Sequence, residues 1–175
     1  MIIKMYAIFC RETLRKMKFE GKLAAQAGHA YLHAWWDAED RLSEEPYWIL
    51  GDDTDYMRDT EYYRTVMYPY RKSNDARKIA LVVDTVEELE QLYEEFRAHM
   101  GATIVDDCGY TVFECTTTTA VGLGPIPSDW TKGTRLADLE TLRNEIHESG
   151  DLPVAAGQPA VHSSYEQATR DLPRG

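Results

Sequence analysis

Cysteine is scarce in this chain, and none of it is placed to hold a metal. Cys10, Cys108 and Cys115 are the only three, they form no C-x-x-C pair, and an odd number cannot all be joined internally. Reduced thiols in a reducing compartment are the expectation. Long apolar runs are missing too. No stretch approaches the roughly 20 residues that span a bilayer, and the segment Met1 to Tyr6 has neither the basic opening nor the cleavage site of a secretory signal. A cytoplasmic protein with no membrane partner is expected.

Basic residues are in deficit, 19 against 30 acidic, for a net charge of −11. Proteins that grip nucleic acid through its backbone need a positive field, so broad nucleic-acid binding is disfavoured and no DNA partner is expected. A short basic channel is still compatible, because much of the acid lies in Asp37 to Glu61 and Glu87 to Glu95, away from Lys16, Lys18 and Lys22. Three loop signatures are also missing: no G-x-S-x-G elbow, Walker loop or G-x-G-x-x-G fingerprint occurs. Gly122-Leu-Gly124-Pro125 lacks the third glycine and runs into prolines, so it fails as a dinucleotide loop. No cofactor is expected.

What is present suits a globular domain. A hydrophobic share of 43% argues against disorder throughout, and 175 residues suffice for one α/β domain with a real core. Residues 2–10 have the apolar density of a buried strand, and Arg11 to Glu20 reads as a basic loop ending at Gly21. Lys22 to about Asp40 is an alanine-rich helix. On it Leu23, Ala27, Ala30 and Ala34 form an apolar stripe small enough to approach a sheet closely, and Lys22, Gln26, His29 and His33 form a polar stripe beside it. An acidic, aromatic segment from about 42 to 77 resists assignment, although Asp59 to Met67 suits a short helix.

Ile79 to Val83 is an uninterrupted apolar run of the kind found inside a largely parallel sheet. Thr85 and Glu88 have the spacing of a capping box, with Val86, Leu89, Leu92, Tyr93 and Phe96 as the buried face and Gly101 as a C-terminal glycine cap. Short strands follow at Ala102 to Val105, Tyr110 to Glu114 and Thr116 to Leu123, the last stopped by Gly124-Pro125-Ile126-Pro127. Leu136, Leu139, Leu142 and Ile146 mark one more helix. The order implies an α/β fold of three layers, a small mixed sheet of about four strands flanked by helices. Residues 1–128 make the domain, 129–150 add a helix, and 151–175 form a loosely ordered tail.

Four polar features could carry chemistry: Lys22 at a helix start, Asp107 in a turn, Thr111 after it, and Thr119 entering the last strand. A lysine in the first helical turn opposes the helix dipole, a small cost that makes sense if it faces a carboxylate or a phosphate. Asp107 is the natural carboxylate. Each signal has a plainer reading, since Asp106-Asp107 before glycine also suits an ordinary turn and the threonine run an ordinary strand. His29, His33 and Asp37 share a helix face with metal-ligand spacing, but the glutamate of H-E-x-x-H is missing and no metal is expected.

Three blocks together resemble the second, archaeal and eukaryotic type of peptidyl-tRNA hydrolase. They are Gly21-Lys22-Leu23-Ala24-Ala25-Gln26-Ala27-Gly28-His29-Ala30, Asp107-Cys108-Gly109-Tyr110-Thr111, and Thr119 to Pro125. The likeness covers about residues 2–36 and 77–127. It implies an ester hydrolase acting on the acceptor end of peptidyl-tRNA; members of the family often pair, so a homodimer is compatible with it, although the sequence does not fix the oligomeric state.

By motif, the resemblance assigns the catalytic roles to Lys22, Asp107, Thr111 and Thr119. Gln26, His29, Lys16, Lys18 and Tyr110 fall to support or substrate binding. Asp107 would orient or deprotonate the attacking water, directly or through Thr111, while Lys22 offers positive charge to the oxyanion or a phosphate. The chain departs from the family in three ways. Tyr110 stands where arginine is common, Phe19 and Glu20 alter the basic loop, and the 42–77 insert is foreign to the compact core. These departures suit a divergent enzyme whose aromatics stack on terminal nucleotides and equally a member that has lost tRNA binding. Ester hydrolysis is the main expectation, and a noncatalytic binding or regulatory protein on the same scaffold, supported by Tyr110 and the charge of −11, is the alternative.

Overall fold

The computed structural model describes residues 1–17, 20–43, 61–108, 113 and 115–149. The expectations for Lys18, Tyr110 and Thr111, for the middle of the insert and for the tail after 150 lie outside the described residues. In chain order the elements are β1 (Ile3–Cys10), α1 (Arg11–Lys16), α2 (Glu20–Ser43), a π-helical turn (Tyr63–Met67) continuing into α3 (Tyr68–Lys72), β2 (Arg77–Val83), α4 (Val86–Phe96), β3 (Ala102–Asp107), β4 (Thr117–Pro127) and α5 (Arg135–Ser149). Contacts divide the chain into two units, Met1–Glu140 and Thr141–Gly175. The first holds the whole sheet. Of the second, the described residues 141–149 are helical, with Leu142 half exposed.

The four strands are ordered β2-β1-β4-β3. β1 is parallel to β2, and β4 runs antiparallel to both β1 and β3. The sheet is therefore mixed, and β1, β2 and β3 all end at one edge, where β4 begins. Alternation along β1 creates the layers. Tyr6, Ile8 and Cys10 pack with Leu89, Leu92 and Phe96 of α4, while Ala7 and Phe9 face the other way, toward Ala30 of α2. Full burial of each large α4 side chain contributes about 1.5–3 kcal/mol.

The capping box at the start of α4 is formed: the Thr85 hydroxyl accepts from the Glu88 N–H at 3.2 Å, and the Glu88 carboxylate accepts from the Thr85 N–H. On the opposite layer, Ala30, Ala34 and Ala38 are buried on the sheet. A Cβ at Gly122 would run into the backbone of Ala30, and one at Gly101 into the carbonyl of Ala34. The alanine stripe thus lies against glycines, and the helix axis comes closer than larger residues would permit. Leu23, expected in that stripe, is 38% exposed, because α2 there reaches the sheet edge and turns Lys22 and Gln26 inward instead.

Several local expectations are corrected. Arg11–Lys16 is helical rather than a loop, supported by a Lys16–Glu12 pair one turn apart and by the Thr13 hydroxyl donating to the Cys10 carbonyl at 2.9 Å. β2 is an edge strand, not an interior one: Leu81 and Val83 are buried, but Ala80 and Val82 face outward. Its apolar run concealed an alternation. Gly101 lacks the positive φ of a helix cap; it is small because α2 crosses it. β4 continues through Gly124 to Pro127, since the Gly124 N–H finds the Gly101 carbonyl at 2.9 Å and the Pro125 carbonyl accepts from the Tyr62 hydroxyl at 2.5 Å. The three cysteines are free, with Cys10 buried and Cys108 and Cys115 exposed.

Two predictions follow from this packing. Gly122→Ala forces α2 off the sheet and should cost about 2–3 kcal/mol in urea unfolding; an unchanged midpoint would show that the close approach carries no energy. The second concerns Tyr6, Tyr62 and Tyr70, whose phenols burial pushes upward, Tyr70 to about 12. A phenol with a higher pKa folded than unfolded holds its proton more tightly in the native state, so its contribution is complete below pH 10, where free phenols ionise, and fades as pH rises toward 12 and beyond. Stability measured by urea melts should fall steadily from about pH 10 to 12, and the fall should shrink in Tyr70→Phe.

Candidate active site

The edge where β1, β2 and β3 end is where an α/β sheet collects the loops and helix starts that can meet a ligand. Lys22, in the first turns of α2, reaches down to Asp107, the last residue of β3, with Nζ 2.6 Å from Oδ2. Both side chains are largely withdrawn from water, 13% and 10% exposed. The ion pair offsets the unfavourable position of a cation at a helix N-terminus. Lys22 Nζ also lies 5.4 Å from the ring centroid of Phe113, which is buried, so the ammonium has an aromatic face on one side.

Gln26, one turn further along α2, is buried and donates from Nε2 to the same Asp107 Oδ2 at 3.1 Å. Its Oε1 accepts from the Thr119 hydroxyl at 3.0 Å. These partners fix the amide orientation, because a flip would set oxygen against carboxylate. Thr119 is completely buried, and its hydroxyl also lies 3.0 Å from the Val105 carbonyl, so one proton serves two acceptors in turn. It sits where the β3–β4 register shifts between Val105 and Asp106. That irregularity aims the hydroxyl at α2 rather than along the ladder. Lys22, Asp107, Gln26 and Thr119 therefore form one continuous polar chain between two helical turns and two strands.

The other expected positions lie elsewhere or outside the described residues. Lys16 is exposed on α1 and paired with Glu12 at 3.0 Å. His29 is exposed and stacks on His33, which stacks on Trp36 at 5.2 Å. Asp37, the third member of the metal-like face, is engaged by the Ala102 N–H at 2.9 Å and by Arg41 at 2.8 Å. Among the described residues no three histidine, cysteine or acidic side chains gather as metal ligands.

Two contributors escaped sequence reasoning. Phe113 had a signal, being apolar beside the second block, whereas buried Thr13, whose hydroxyl also reaches the Thr119 carbonyl at 3.4 Å, had none. Positive charge at this edge is modest: Arg11 pairs with Asp84 at 2.6 Å, and Arg15 is exposed.

A mixed α/β sheet with an ammonium–carboxylate pair braced by an amide and a hydroxyl at its strand ends defines a protein whose polar centre is built from side chains of the chain itself. More particularly, the chain matches the family Peptidyl-tRNA hydrolase PTH2 over residues 3–135 and belongs to it. Peptidyl-tRNA hydrolysis is the activity of that family, and the matched span includes all four residues of the polar chain. No individual curated protein matches. Among the described residues no helix is long and apolar enough to cross a membrane.

The brace predicts distinct stability effects. Thr119→Val leaves buried acceptors without their donor and should cost about 1–3 kcal/mol. Lys22→Met strands a buried carboxylate and should cost about 3 kcal/mol or more, while Lys22→Met combined with Asp107→Leu should be milder than Lys22→Met alone. Additive losses in urea melts would mean the two charges do not interact.

Proposed function

We propose that this protein hydrolyses the ester between a peptide and the 3′ ribose of tRNA, releasing the peptide acid and free tRNA, in the cytoplasm where translation supplies that substrate. The observation that carries this reading is the Lys22–Asp107 pair, held by Gln26 and Thr119 at the strand ends within the span that matches the family.

Water adds to the acyl carbon, the bond to the ribose oxygen breaks, and the water's second proton passes to that oxygen. A carboxylate paired with an ammonium is a poor base, so Asp107 serves best by orienting the water. Lys22 supplies positive charge for the oxyanion that forms on the carbonyl oxygen. Thr111, assigned by motif, is the relay between Asp107 and water. Gln26 holds the Asp107 carboxylate in place and acts through it. Lys16 and Lys18, basic residues that precede α2 in the chain, are the candidates for the acceptor phosphates.

The test is release of tRNA from N-acetylaminoacyl-tRNA at low salt. Wild type should turn over, and Asp107→Asn, which keeps the size and one acceptor oxygen but removes the charge, should lose about a hundredfold or more in kcat. Full activity in Asp107→Asn would remove the role given to Asp107. A wild type that binds peptidyl-tRNA or a protein partner without turnover would support the noncatalytic reading that the charge of −11 favours.

A further inference from the structure

One well-formed cavity lies away from the polar chain. It has a volume of about 410 Å³ and lies at the other end of α2, where Arg41 lines it. Lys22 and Arg41 are 19 positions apart on that helix, roughly 28 Å at the usual rise. Its size is that of a small-molecule site, and one wall comes from Glu61, Tyr62 and Thr65, in the segment between α2 and β2.

The lining specifies what it would hold. Phe96, Met100 and Ile126 are buried and give an apolar floor. Tyr62 and Trp130 form an aromatic corner, their centroids 6.2 Å apart and their planes tilted by 33°. Trp130 is half exposed, so its ring is open to an incoming group.

The cationic and hydroxyl donors are already engaged. Arg41 is neutralised by Asp37 at 2.8 Å and donates to the Arg97 carbonyl. The Thr65 hydroxyl donates to the Glu61 carbonyl at 2.7 Å, and the Tyr62 hydroxyl to Pro125 at 2.5 Å. What remains is the His99 imidazole, which can accept or donate, and the Glu61 carboxylate, for which no ion pair is formed among the described residues. Among the described residues that line the cavity, the uncompensated fixed charge is negative. An aromatic corner beside a carboxylate, over an apolar floor, is the chemistry that recognises an organic ammonium ion.

We propose that this cavity is a binding site for a small organic ammonium with an apolar body, its charge held between Glu61 and the Tyr62–Trp130 corner. The site gives the inserted segment a role of its own, distinct from ester hydrolysis, and stands whether or not the polar chain is catalytic.

Three probes of one shape test it by calorimetry on the full chain: phenethylamine, 2-phenylethanol and phenylacetate, which share a ring and differ in the charge of the end group. Phenethylamine should bind about tenfold more tightly than the alcohol, and phenylacetate most weakly. Glu61→Gln should remove most of the amine's preference over the alcohol, leaving the part owed to the aromatic corner. Trp130→Ala should weaken the amine several-fold. Both side chains are on the surface, and unchanged thermal melts will confirm that the variants are folded. The proposal is overturned if phenethylamine gives no binding heat, if phenylacetate binds as well as the amine, or if Glu61→Gln keeps the full preference, which would trace it to the general negative charge of the chain.

Discussion

The closeness of α2 to the sheet governs what the molecule can do. Ala30 and Ala34 present almost nothing beyond their backbone, and Gly122 and Gly101 present nothing at all. The helix therefore approaches the strands nearly backbone to backbone. With a larger residue on either side, the Lys22 and Gln26 side chains would be lifted from the strand ends. The Lys22–Asp107 contact at 2.6 Å and the Gln26–Asp107 contact at 3.1 Å both have this approach as their precondition.

The same packing explains why the polar chain is buried without being orphaned. Two ions removed from water are costly unless each finds a partner and further hydrogen bonds. Here the ammonium has a carboxylate and an aromatic face, the carboxylate has an ammonium and an amide, and the amide has a hydroxyl. Among the described residues no buried side-chain nitrogen or oxygen lacks a partner. A network closed in this way resists rearrangement.

Features that depend on near neighbours in sequence were legible. The Thr85–Glu88 capping box, the apolar density of β1 and the alanine stripe each rest on residues within a short stretch of chain, and the three motif blocks pointed to Lys22, Asp107 and Thr119 as one group. Features that depend on where distant segments lie were not. An apolar run such as Ile79 to Val83 suits an interior strand as well as an edge strand with a few exposed valines and alanines, and only the strand order decides. Gly101 looked like a helix cap because its true constraint, the carbonyl of Ala34, is 67 positions away. Helix α1 is too short for its pattern to be distinguished from a basic loop, and Thr13 gave no sign of being buried.

The position of β2 bears on how the protein keeps to itself in a crowded solution. An outermost strand offers its backbone as a template on which a foreign strand can grow, and charge along it is the usual deterrent. Arg77 and Lys78 supply that charge at the first two positions of β2, while Leu81, Val82 and Val83 at its far end carry none. Self-association by strand addition would thus be resisted where β2 begins and tolerated where it finishes, beside the Arg11–Asp84 pair that ties the ends of β1 and β2 together.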